Sequence, residues 1–143
     1  MNYYNRVTLE LKILDNGAGY TYTSNVVRQA RGSPGGNQIN FVTGVAEDSF
    51  FVCLPGTNQL QSAAVAGAYG YAGFGFDLTT SLDANTLCFA PTAAVSSLMV
   101  SASRIYGPVI GSHFVSMNES SDNVHATTFS ANSKAEMIMQ MKG

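Results

Sequence analysis

Residues able to do chemistry are few in this chain. Histidine occurs only at His113 and His125, and cysteine only at Cys53 and Cys88. Together they could form a two-cysteine, two-histidine zinc centre. Their separations of 35, 25 and 12 residues lack the close ligand pairs, about two to four residues apart, of structural zinc sites. Ser112 and His113 are neighbours, and neighbours on a strand point to opposite faces, so they do not make a nucleophile–base pair. A Gly-x-Ser-x-Gly turn that would present a serine is missing. The carboxylates Glu47 and Asp48 read as an exposed turn rather than as half of a glycosidase pair. Asp77, Asp83 and Asn85 carry oxygen ligands for calcium without the dense acidic loop of a dedicated site. The glycine-rich stretch 67–76 matches neither phosphate-binding pattern. Asn118-Glu119-Ser120 fits the glycosylation acceptor pattern, which reads as coincidence beside a polar N-terminus unlike a signal peptide. Catalytic, cofactor and metal sites are therefore not expected.

The elements that would carry any site are strands. In residues 6–14, Val7, Leu9, Leu11 and Ile13 share one face while Thr8, Glu10 and Lys12 share the other, the alternation of a half-buried strand. Asp15-Asn16-Gly17-Ala18-Gly19 supplies turn residues, and Tyr20-Thr21-Tyr22-Thr23 resumes the alternation, which together predict a hairpin. Further strands are expected at 39–43 and 49–54, the second apolar on both faces as a fully covered strand would be, and ended by Pro55-Gly56. Alanine and glutamine between 59 and 68 predict a short helix. Tyr69, Tyr71, Phe74 and Phe76 alternate with small residues except for one slip, which predicts a bulged strand. Residues 77–85 read as loop, and 86–90, 95–106, 109–117 and 135–141 as later strands. Pro91 could open a helix over 92–97, although the serines there favour strand. Residues 118–123 read as a polar loop. In the last segment Met137, Met139 and Met141 share a face opposite Ile138. About eight short strands with turns between them predict an all-β antiparallel sandwich, jelly roll or barrel, with one or two short helices at most.

Composition narrows the class. At 143 residues the chain is expected to be one β-rich domain spanning 1–143. Charged residues make up 11%, against about 25% for an average soluble domain. An apolar run of about 18–20 residues is lacking, so membrane insertion by a helix is not expected. Seven tyrosines and eight phenylalanines favour a packed core over disorder. The net charge is −2 and the nearest basic pair is Arg28 and Arg31, too little for a groove that neutralises phosphates. Cys53 and Cys88 sit among apolar neighbours and read as reduced thiols.

A surface short of charge has little repulsion to oppose association. The expectation is a non-enzymatic structural subunit that self-associates, as in a capsid, spike, decoration or tail component of a virion. Its partners would be copies of itself and other structural proteins of the same assembly, reached after cytoplasmic synthesis. The candidate interface residues are Tyr3, Tyr4, Tyr69, Tyr71, Phe74, Phe76, Met137, Met139 and Met141. The competing reading is a lectin-like or adhesin module that binds a glycan or receptor, with loops 32–37 and 77–85 and the tyrosines Tyr69 and Tyr71 at its site.

Overall fold

The computed structural model describes residues 7–44, 48–129 and 134–142. Its strands are β1 (Thr8–Asp15), β2 (Tyr20–Tyr22), β3 (Arg28–Gln29), β4 (Gln38–Thr43), β5 (Phe50–Gln61), β6 (Tyr69–Phe76), β7 (Ala84–Phe89), β8 (Ser97–Tyr106), β9 (Gly111–Ser121), β10 (Thr127–Phe129) and β11 (Ala135–Lys142). The helical content of the described residues is one 3-10 turn at Ala30–Gly32.

Every pairing is antiparallel, and the strands form two sheets. In the first, β5 is the long spine: β8 runs along one side, while β11 and then β1 take the first half of the other side, and β10 and then β2 the second half. In the second, β9 is the spine, with β6 and then β7 on one side and β4 and β3 sharing the other. Setting aside the short β2, β3 and β10 leaves two four-stranded sheets, β1-β11-β5-β8 and β4-β9-β6-β7. Along these eight strands the chain changes sheet at every connection except the β6–β7 hairpin. That wrapping is a jelly roll, an open sandwich rather than a closed barrel.

The inner faces follow from the alternation. Phe50, Val52, Leu54 and Leu60 of β5 meet Phe74 of β6, Val115 and Met117 of β9, Val100 of β8, and Met137 and Met139 of β11. An aromatic cluster closes one end of this core: the Phe50 and Tyr106 rings stack at 5.0 Å, and Phe41 meets Phe50 edge-on at 5.2 Å.

Several expectations are corrected. The first hairpin does not form: β1 pairs with β11 beside the first half of β5, and β2 pairs with β10 beside its second half. β1 and β2 both run in the direction of β5, so residues 16–19 offset the chain between them without reversing it. Pro55-Gly56 does not end β5. The strand passes through a bulge between Pro55 and Asn58, where Gly56 takes φ +79° and the proline's missing N–H costs the ladder nothing. The helix over 59–68 is absent: Gln59 to Gln61 continue β5. No helix forms over 92–97 either. β6 carries no bulge, since its register with β7 and β9 is unbroken and the aromatics change face between Tyr71 and Phe74. Residues 118–121 are buried strand rather than loop: Glu119 and Ser121 bond to groups of other strands, and segment 77–83 folds back over Asn118 on the outer face of β9. There the Asn118 amide donates to Leu78 O (3.0 Å) and Ser81 O (2.6 Å), and the Ser116 hydroxyl donates to Leu78 O. Gly75 permits this approach: a Cβ there would lie 2.5 Å from Leu78 O.

Candidate functional site

Among the described residues, histidine and buried carboxylate side chains draw attention to three places. In the first, Glu119 points between the sheets with its side chain 1% exposed. Arg28 of β3 donates to Glu119 Oε1 through Nε (2.9 Å) and Nη2 (2.8 Å), and the Tyr20 hydroxyl of β2 donates to Oε2. The Arg28 guanidinium also lies over the Tyr22 ring at 3.6 Å. Behind it, Arg31 pairs with Asp15 at the end of β1 and donates to Ala18 O (2.9 Å), while its backbone N–H donates to Tyr20 Oη. Burial raises the Glu119 carboxyl above its usual range, against the opposing pull of Tyr20 and Arg28. Burial, reinforced by the Glu119 charge, pushes the Tyr20 phenol far up. The network ties β1, β2, β3 and β9 together, and its groups are turned on one another.

In the second, His113 Nδ1 lies 2.7 Å from Asp77 Oδ2 and Nε2 lies 3.0 Å from Ile110 O. Both nitrogens face acceptors, so both donate in the imidazolium form. The hydrogen bond to Asp77, then that to the carbonyl, raises the pKa of the ring. A ring held in this way has no lone pair for a substrate or a metal. In the third, Asp122 accepts the backbone N–H groups of Val124 (2.8 Å) and His125 (2.6 Å) and pairs with His125 Nδ1. Burial works against its charge, but the backbone and ring donors of His125 and the N–H of Val124 outweigh it and hold the carboxyl down at about 2.

The remaining chemical candidates are separated or occupied. Cys88 is buried, with its Sγ 3.3 Å from Ser96 O, whereas Cys53 lies half-buried on the outer face of β5; both are free thiols. Asp83 accepts from Phe76 N, Ser81 Oγ and Tyr106 Oη. Among the described residues no three His, Cys, Asp or Glu side chains come together as metal ligands. Asn118 is 1% exposed and engaged, so the folded chain cannot present it as a glycan acceptor.

What stands open is apolar. On the outer face of the second sheet, register places Tyr69 beside Phe89 and Tyr71 beside Leu87. The tyrosine rings meet edge-on at 5.7 Å, and Phe89 is 50% exposed. On the outer face of the first sheet Phe51 lies beside Ile105, and Cys53 lies between Ser103 and Ile138; Ile105 is 70% exposed. Between the edge strands β1 and β4 lies a cleft of about 410 Å³, lined by Leu9, Leu11, Phe41, Val42, Phe50 and Met141 among others.

The candidate interface residues divide accordingly. Tyr69 and Tyr71 lie on an outer face, and Met141 lines the cleft. Phe74, Met137 and Met139 are 0% exposed and fill the chain's own core, so as interface residues they are corrected. Phe76 is half-buried on the inner face, packed on Phe50 and Tyr106, and is corrected likewise. Tyr3 and Tyr4 lie outside the described residues. The sequence reading missed Phe51, Leu87, Phe89 and Ile105. Their signal was apolar residues in both phases of one strand, as in Phe50-Phe51-Val52-Cys53.

No protein-family model matches the chain, and no curated protein matches its sequence. Its class therefore rests on the fold: an all-β jelly-roll sandwich.

Proposed function

We propose that this chain is a non-enzymatic structural subunit that self-associates, serving as a building block of a virion in a capsid, spike, decoration or tail role. One observation carries the reading: apolar side chains reach the surface on both outer faces of the sandwich, exposed Leu87 and Phe89 beside half-buried Tyr69 and Tyr71 on one, and exposed Ile105 beside half-buried Phe51 and Ile138 on the other. Two unlike patches on opposite faces suit contacts between non-equivalent surfaces, the kind that builds rings and extended arrays. Burying them returns roughly 25 cal/mol for each Å² of apolar surface removed from water. The low charge fits surfaces that spend their working life against other protein. Jelly rolls are a common capsid architecture, and this analogy supplies the virion part of the reading.

Native mass by light scattering, with negative-stain microscopy, tests it. A regular oligomer or particle is expected; a 15.1 kDa species at all concentrations would refute self-association. A second reading, a glycan-binding module, is favoured by the Tyr69–Tyr71 pair beside exposed Asn85 on the same face. Reproducible binding of folded protein on a glycan array, lost in Tyr71→Ala, would move that reading ahead.

A further inference from the structure

The two long sides of the sandwich are finished differently. On the β7–β8 side the edges are sealed across the sheets: the Ser101 N–H donates to Thr86 Oγ1 (3.0 Å), whose hydroxyl donates to Ser101 O (2.8 Å). Arg104 Nη1 adds a bond to Asp83 O (2.9 Å), and the Tyr106 hydroxyl one to Asp83 Oδ2. Among the described residues the opposite side is open. There β1 is an eight-residue edge strand paired only with β11 among the described strands, and the cleft separates it from β4. β1 has no proline, bulge or inward-pointing charge in its central stretch, the usual defences of a free edge.

The sequence of β1 is also complementary to itself. In an antiparallel pair with Leu11 opposite its own copy, Glu10 faces Lys12 of the second chain, and Lys12 faces its Glu10. On the other face Leu9 meets Ile13 and Leu11 meets Leu11, so the stripe left open above the cleft, where Leu9 is 45% exposed, gains a cover. The two charges lie on the outer face, where Glu10 accepts from Gln140 Nε2 (3.0 Å) and Lys12 pairs with Glu136. A second Glu10 beside Lys12 would place that ammonium between two carboxylates.

We propose that two copies of this chain join through β1, pairing antiparallel about a two-fold axis at Leu11, so that two β1-β11-β5-β8 sheets become one continuous eight-stranded sheet. The inference rests on the self-association reading and names one of its contacts.

Charge variants test it without touching the core. Glu10→Lys and Lys12→Glu each set like charges opposite one another twice across the axis, and each should weaken association about tenfold or more. Mixed in equal amounts, the two variants become complementary and should recover the wild-type native mass. Leu11→Cys, which leaves the charges alone, should give a disulfide-linked dimer on a non-reducing gel, because directly opposed Cα atoms lie about 4.5–5.5 Å apart. Leu9→Cys, opposite Ile13, should link no more than wild type. If wild type associates while both charge variants keep its mass, or if Leu11→Cys links no better than Leu9→Cys, the β1 contact is wrong and self-association stands. Wild type that stays a single chain at every concentration overturns both.

Discussion

At the scale of the residue, Glu119 decides most. It places a carboxylate inside a β sandwich, and Arg28 and Tyr20 make it tolerable. Glu119→Ala should cost about 3 kcal/mol, because it leaves Arg28 and the Tyr20 hydroxyl without their acceptor; urea melts would measure it. Its pKa has a sign. The folded chain holds this proton to higher pH than the unfolded chain does, so stability should fall as pH rises from the ordinary glutamate value through the raised one. Glu119→Gln should flatten that slope. His113 has the same sign in a higher window. Its contribution is fully present below the ordinary histidine pKa of 6.5 and is lost as pH rises through the raised value. Melting temperatures taken from pH 5.5 to 8.5 should therefore decline more steeply for wild type than for Asp77→Asn. None of this was legible beforehand. Asn118-Glu119-Ser120-Ser121 reads as polar loop, and the residues that bury the glutamate lie 91 and 99 positions away.

At the scale of the element, legibility followed the range of the interaction that fixes each strand. The alternation of β1, the start of β5 and the methionine strand β11 are local patterns, and all three were readable. Pairing was not: the partner of β1 is β11, at the other end of the described chain, so Leu9 meets Met141. The continuation of β5 beyond Pro55 was hidden because a proline–glycine step reads as a stop unless a bulge opposite β8 absorbs it. The small residues of β6 read as a bulge, but its glycines are clearance in an unbroken strand. Gly75→Ala should destabilise the fold by about 2 kcal/mol, since its Cβ would meet the Leu78 carbonyl, a backbone atom that cannot step aside alone. Thermal unfolding of that variant beside Gly107→Ala, which meets nothing within 4 Å, separates clearance from glycine entropy.

At the scale of the whole molecule, the sequence and the fold disagree about what is outside. β5 reads as a strand covered on both faces, yet the described residues fully bury only one, leaving Phe51 and Cys53 half-buried on the other. The proposed association, through the outer faces and the β1 edge, would reconcile them. Phe89→Asp and Ile105→Asp should therefore lower the native mass while leaving the melting temperature of the single domain within a few degrees, because neither side chain belongs to the core. The measurement that tests the central claim most directly is the native mass of the wild-type protein by size-exclusion chromatography with light scattering, across a wide concentration range. The account predicts a defined multiple of 15.1 kDa that persists on dilution into the low micromolar range. A single 15.1 kDa species throughout would contradict it.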